Sequence, residues 1–425
     1  MGMVLACALA TGPASAAGLG ATAVPVWTHA IDPAGSDVPP HRGESVANLA
    51  TAAGRVFLAS GGAIRALDAR TGVERWRSRD EGFGVPAASA NLVVAIARDG
   101  VVHAFDVRTG AERWRSAGLA APLAWETPDI RPLLRGLNDG GFFVLAPQSG
   151  LAAEIDASGK VLWSATYPQH HYAGITAIAD GVVFVTAWEE GAIIHPVLNL
   201  FRIGRAGGLI AQVSNALRPL GFDGSRYWVL DAYPTASTMV TIARLDTEKG
   251  NQRIPDADPW RYTPDDGASS IPGYGDAAIE HGFLYAWTQD GEGHDPLYRY
   301  RLAPPNGQRP ILVSRDGAWI AGPYEDRVVV QRPTGLWLLH LVGDRVQTRN
   351  ITTYAPPVVA QAVAFDGDLV YAALSDGRIV AVDVRDGEHR FAATTSCRTC
   401  RGIGVHDGEL LAVCARTVFA FAKPR

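Results

Sequence analysis

Residues 66–78 read "ALDARTGVERWRS" and residues 104–116 read "AFDVRTGAERWRS". Such close self-similarity at a short interval means that the chain builds one structural unit repeatedly. In each stretch, alternating residues lead into an aspartate (Asp68, Asp106), a tight turn follows at Arg-Thr-Gly, and alternation resumes up to a tryptophan (Trp76, Trp114). That is the signature of a β-hairpin: the aspartate accepts hydrogen bonds from turn amides, and the glycine takes the positive φ that the turn needs. The same offsets recur in "AEIDASGKVLW" (Asp156, Gly159, Trp163), "ARLDTEKGNQRI" (Asp246, Gly250) and "AVDVRDGEHRF" (Asp383, Gly387, Phe391). Looser versions are "LFRIGRAGGLI", "LYRYRLAPPNGQRPI" and "LWLLHLVGDRVQ".

Ahead of each hairpin stands another apolar strand entered through a turn: "GRVFLAS", "NLVVAIA", "GGFFVLA", "DGVVFVT", "SRYWVLD", "HGFLYAW", "DRVVVQR", "GDLVYAA" and "GELLAVC". Four strands per unit, over roughly 40 to 45 residues, define the blade of a β-propeller. The last unit ends at "TVFAFAKPR" without a fourth strand, whereas "VPVWTHA" (Val24–Ala30) is an orphan strand with Trp27 at the place of a fourth-strand tryptophan. Joining the two closes the ring and removes exposed edges. Trp76, Trp114 and Trp163 are then expected as wedges between blades.

The pattern hydrophobic-D-A-x-T-G-x-x-x-W after a "VY/VF" strand resembles the pyrroloquinoline-quinone-type propeller repeat. That repeat is shared by quinoprotein alcohol dehydrogenases and by the propeller lipoprotein of the bacterial outer-membrane assembly machinery. The resemblance is clear in units one to three and eight, and blurred in four to seven. It implies about eight blades; the units counted along the chain number nine, so the expectation is an all-β propeller of eight or nine four-stranded blades. The quinoprotein enzymes carry adjacent cysteines, a calcium site and an aspartate base. No Cys-Cys pair stands in this sequence, and "CRTCR" (Cys397–Arg401) lacks the histidine of a haem c attachment, so no catalytic residue is carried over.

A chain of 425 residues allows two or three domains, or one closed repeat architecture. The repeat favours the second, with one propeller domain over residues 17–425. The apolar fraction of 47% is that of a globular protein, and the abundant glycine (46) and proline (27) suit many short strands joined by turns. The net charge of −5 comes without any run of Lys or Arg, which argues against a nucleic-acid partner. Residues 1–16 contain a short apolar stretch and a small-x-small pattern at Ala14-Ser15-Ala16, and read as a signal peptide. They lack the usual positive n-region, and a disordered Ala/Gly-rich leader is the alternative reading. No later stretch is long and apolar enough for a membrane span. The expected location is outside the cytoplasm: periplasmic, cell-surface or secreted.

Strand direction alternates within a blade, so the connections from strand two to three and from strand four to the next blade share one end. Units one, eight and nine keep these minimal. Units three to six insert "AAPLAWETPDIRPLLRG", "YPQHHYAG", "WEEGAIIHPVLN", "DAYPTAST", "PDADPWRYTPDDGASSIPGYG" and "TQDGEGHDPLY", all assigned to one face. Long loops raised on a rigid scaffold are where binding concentrates. The candidate ligand-binding residues there are Trp125, His170, His171, Tyr172, Trp188, Glu189, Trp260, Arg261, Tyr262, Asp265, Asp290 and His294. Flat rings beside carboxylates and other polar groups suit sugars or extended peptides. The alternative is that the rings pack the loops against one another.

Neither the histidines nor "DGEGHD" (Asp290–Asp295) has a diagnostic metal spacing, so no metal and no cofactor is assigned. Paired carboxylates for glycosidic chemistry would have to come from different loops. Of the cysteines, Cys397 and Cys400 fall in the loop entering the last blade and Cys414 ends its second strand at the same face. One of the pair bridging to Cys414 would suit an oxidising compartment. A Cys397–Cys400 disulfide or unpaired thiols are the other readings. The function expected is that of an exported, monomeric, non-catalytic propeller binding a protein or polysaccharide ligand through the loop-bearing face. A carbohydrate-active hydrolase or lyase is the alternative, and a quinoprotein oxidoreductase the third.

Overall fold

The computed structural model describes residues 23–31, 49–116, 119, 132–167, 172–179, 181–189, 195–214, 216–222, 227–231, 240–245, 260–262, 276–287, 296–302, 311–354, 358–406, 408–414 and 416–424. The signal-peptide reading of residues 1–16 lies outside them.

These residues form nine four-stranded antiparallel sheets, and eight of them are simple meanders in sequence order. The first is Leu49–Ala52, Arg55–Ser60, Ala63–Asp68 and Glu74–Arg77; the second is Ala87–Ala88, Leu92–Ile96, Val102–Asp106 and Glu112–Ser116. The ninth sheet is composite. Cys400–His406, Glu409–Cys414 and Thr417–Ala422 are completed by the N-terminal strand Trp27–Ala30, with Trp27 opposite Ala420 and Ala30 opposite Thr417. Of the expected eight or nine blades the described residues form nine, and every second-strand sequence quoted above falls on a second strand.

Burial follows position within the sheet. Leu92–Ile96 and Phe142–Ala146 are buried along their whole length, because a neighbouring sheet covers each of their faces. Outer strands such as Glu74–Arg77 and Glu112–Ser116 expose charged residues, which blunts their unpaired edges. The first strands of successive sheets approach one another, and small residues such as Ala50, Ala52, Ala87 and Ala88 let them converge.

Between each sheet and the next lies a separate apolar cluster. Phe57, Ile64, Phe83, Val93 and Phe105 fill the first seam, and burying each such side chain is worth roughly 1.5–3 kcal/mol. The same holds across the join of the two chain ends, where Trp27, Val56, Leu58 and Leu67 meet Leu411, Val413, Val418 and Ala420.

The repeated hairpin locks these seams. Asp68 Oδ1 accepts the amides of Arg70 (3.2 Å) and Thr71 (3.0 Å), and Asp106 Oδ1 those of Arg108 (3.0 Å) and Thr109 (2.9 Å). The turn so formed offers its carbonyl to the preceding sheet. Trp27 Nε1 donates to Ala69 O (2.8 Å), Trp76 Nε1 to Val107 O (3.2 Å) and Trp114 Nε1 to Ala157 O (3.0 Å). In each case the acceptor is the residue after the turn aspartate. The indole lies flat on the turn, so close that a Cβ at Gly72, Gly110 or Gly159 would stand 2.6, 2.6 or 2.7 Å from ring atoms of Trp27, Trp76 or Trp114.

Two seams vary this device. Trp163 Nε1 donates instead to the fully buried Glu154 (2.7 Å), whose same oxygen accepts Gly204 N from the fourth sheet (2.7 Å). Between the seventh and eighth sheets, Arg349 Nη1 takes the indole's part and donates to Val384 O (2.9 Å).

Candidate functional site

The meander order places all two-to-three and four-to-one connections at the same end of their sheets. In the fourth sheet, Tyr172 begins the first strand opposite Trp188 near the end of the second, and Glu189 stands opposite His195 at the start of the third. Four chemistry-bearing positions therefore meet at one sheet end. In the fifth sheet, Val240 at the start of the third strand pairs with Tyr262 at the end of the fourth, again at that end.

Trp125, His170, His171, Asp265, Asp290 and His294 lie outside the described residues. The connections bearing them, 117–132, 167–171, 263–275 and 288–296, all leave strands at the loop-bearing end. One expectation is corrected. "PDADPWRYTPDDGASSIPGYG" is not a single crossing, because Trp260–Tyr262 forms the fourth strand of the fifth sheet and divides it. Residues 246–259 consequently join strands three and four, which end at the opposite face, and Trp260, Arg261 and Tyr262 are strand residues. The alternating "WRY" was the signal for a strand. One long crossing was also missed: residues 31–48 connect Trp27–Ala30 of the ninth sheet to Leu49–Ala52 of the first, and so leave from the same end as the other insertions.

By contrast, the two-to-three connections of the first, eighth and ninth sheets span only residues 61–62, 375–377 and 415–416. The connections at this end thus differ in length from sheet to sheet, while at the opposite end the first three sheets and the eighth carry hydrogen-bonded turns.

At that opposite end, ligating atoms of Glu280, His281 and Asp326 lie within 4.8 Å of one another, the one such group among the described residues. Its carboxylates are already engaged. Glu280 accepts the amides of Glu325 (2.7 Å) and Asp326 (2.9 Å), and Asp326 Oδ1 accepts Tyr285 OH (2.8 Å) beside the buried Arg299 guanidinium (3.5 Å). Arg299 in turn lies 4.1 Å from the Phe283 ring centroid. A cation is therefore supplied by the protein itself, and the group fastens the sixth sheet to the seventh. Burial, with the Asp326 hydrogen bond, pushes the Tyr285 hydroxyl well above its ordinary range, so it acts as a donor at all working pH.

Cys397 is bonded to Cys414, with Cα atoms 5.8 Å apart, and Cys400 is a buried free thiol. Of the alternatives left open by the sequence, the structure has the bridge that ties the crossing into the ninth sheet to that sheet's second strand. Among the described residues no helix is long and apolar enough to cross a membrane.

A family model described as outer membrane protein assembly factor BamB matches residues 21–211. The chain thus carries the pyrroloquinoline-quinone-like propeller repeat over its first four sheets. No curated protein sequence matches it. Among solved structures, BamB from Moraxella catarrhalis aligns over 94% of this chain and all (100%) of its own, at 16% identity and a TM-score of 0.45. Quinohemoprotein alcohol dehydrogenase from Comamonas testosteroni aligns over 94% of this chain and 76% of its own, at 12% identity and a TM-score of 0.46. Sqt1 from Saccharomyces cerevisiae aligns over 80% and 96%, at 10% identity and a TM-score of 0.49.

Proposed function

We propose that this protein is an exported, non-catalytic binding propeller that takes a protein or polymer ligand across the face bearing the long crossings of the third to sixth sheets. The observation that carries this reading is the register of the fourth and fifth sheets. Tyr172, Trp188, Glu189, His195 and Tyr262 stand at strand ends that open onto that one face, beside connections longer than the two-to-three connections of the first, eighth and ninth sheets. Long connections raised on a rigid scaffold are suited to recognition.

Two further observations support it. The family model matching residues 21–211 is named for outer membrane protein assembly, which favours a protein ligand and export. A Cys397–Cys414 disulfide fits an oxidising compartment.

The test replaces residues 117–132, 168–171, 190–194, 232–239, 263–275 and 288–295 by short Gly/Asn turns and compares ligand capture after in-cell crosslinking. Loss of the crosslinked partner, with the circular dichroism of the intact protein retained, is the predicted result. Retention of every partner by the trimmed propeller contradicts the proposal.

A further inference from the structure

Three sulfur atoms gather where the chain enters the ninth sheet, and two suffice for a bridge. Cys397, Cys400 and Cys414 are 6%, 7% and 6% exposed and belong to one apolar cluster with Tyr371, Ile379, Phe391 and Phe419. Cys414 is bonded to Cys397, yet its directly opposite residue in the antiparallel ladder is Cys400. Directly opposed residues have Cα atoms about 4.5–5.5 Å apart, within the span that a disulfide bridges. Cys414 therefore has one bonded neighbour and one unbonded neighbour of equal chemistry.

We propose that these three cysteines form a built-in disulfide exchange, in which Cys414 alternates between Cys397 and Cys400. The Cys400 thiolate attacks Sγ of Cys414, the Cys400–Cys414 bond forms as the Cys397–Cys414 bond breaks, and Cys397 leaves as a thiolate that takes up the proton released by Cys400. One disulfide and one thiol are present before and after, so no oxidant or reductant is consumed.

The two arrangements differ in what they hold. With Cys397 bonded, the crossing from the eighth to the ninth sheet is pinned at its middle. With Cys400 bonded, the bridge lies within the ladder and the crossing is held by packing and by hydrogen bonds: Gln361 Nε2 to Arg398 O (2.8 Å), Arg398 to Asp376 O, and Thr395 N and Oγ1 to Gly377 O (2.9 and 3.0 Å). Exchange thus releases a segment on the loop-bearing end without opening the ring. Burial pushes the Cys400 thiol up to about 11, and its Sγ faces Gly402 O at 3.3 Å, so the thiol rests un-ionised and the exchange is slow.

Tryptic peptides separate the three sulfurs, since Arg398 and Arg401 place Cys397 in residues 391–398, Cys400 in 399–401 and Cys414 in 402–416. The full exported chain is acid-quenched, unfolded, alkylated and mapped by mass spectrometry. In wild type, a minor population is expected with Cys397 alkylated and 399–401 linked to 402–416. That population vanishes in Cys400→Ser. In Cys397→Ser, 399–401 linked to 402–416 becomes the main species. The proposal is overturned if wild type, after a day at room temperature, yields only the Cys397–Cys414 pair, or if folded Cys397→Ser leaves Cys400 and Cys414 both alkylated. Should Cys397→Ser not fold, the wild-type map alone decides.

Discussion

The indole nitrogen of Trp27 donates to the carbonyl of Ala69 across 2.8 Å, joining the ninth sheet to the first. Trp27 comes from the N-terminal strand that completes the C-terminal sheet, so this bond and the ring lying on Gly72 fasten the two chain ends. Truncating it removes both the bond and the apolar cover of the join. Trp27→Ala is expected to cost about 3–5 kcal/mol, read as a fall in the thermal or denaturant midpoint. Trp27→Phe keeps most of the apolar cover, loses the donor, and is expected to fall in between.

Turn glycines have two separable roles. Gly54 and Gly110 have φ of +69° and +71°, so a side chain is strained at both. Only at Gly110 would a Cβ also meet a neighbour, the Trp76 ring at 2.6 Å, while nothing lies within 4 Å at Gly54. Gly110→Ala is expected to destabilise by at least about 1 kcal/mol more than Gly54→Ala, since the ring must move as well. Equal chemical-denaturation midpoints for the two variants would show that the close approach is immaterial.

Glu154 is a buried carboxylate whose Oε2 satisfies two donors from different sheets, Trp163 Nε1 and Gly204 N. Glu154→Ala leaves both unpaired, an expected loss of about 2–5 kcal/mol. In a Trp163→Phe background one donor is already absent, so the same change costs less. A double-mutant cycle measured by denaturation reads this coupling, and strict additivity would contradict the shared acceptor.

Acid stability follows from the hairpin aspartates. The Arg75 guanidinium, with the Thr71 hydroxyl and amide, holds the Asp68 carboxyl down to about 2, and Arg113 and Arg385 similarly hold Asp106 and Asp383 well below the usual carboxylate range. A depressed folded pKa means stabilisation that is complete above the unfolded value of about 3.9 and is lost as pH falls through the folded one. Stability should therefore decline between about pH 4 and pH 2. The Asp68→Asn/Asp106→Asn/Asp383→Asn variant should be less stable at pH 6 and show a flatter decline. Parallel curves for variant and wild type would remove these aspartates from the acid transition.

Most of the fold was legible because the repeat writes one hairpin many times. Asp, Gly and Trp at fixed offsets gave the turn and the seam together, and the orphan strand with Trp27 disclosed the closing sheet. What stayed hidden is chemistry between units: no local pattern says that the Trp76 ring will rest on Gly110, or that Glu280 will bind the turn of the next sheet. A charge within the apolar run "LAAEI" was the one sign that Glu154 had a buried role. The candidate face was legible only as parity. That reasoning placed Tyr172, Trp188 and Glu189 at one sheet end but misread Trp260–Tyr262 as loop, because the alternation there lasts just three residues, and it passed over the crossing 31–48.

The most direct test of the central claim is site-specific photo-crosslinking in the native envelope. A photoreactive residue is placed singly at Tyr172, Trp188 or Tyr262 on the loop-bearing end, and at Thr71, Thr109 or Asp386 on the turns of the other end. A discrete adduct is expected from the first three positions and none from the second three. Adducts from the turn positions alone, or the same adducts from both ends, would contradict it.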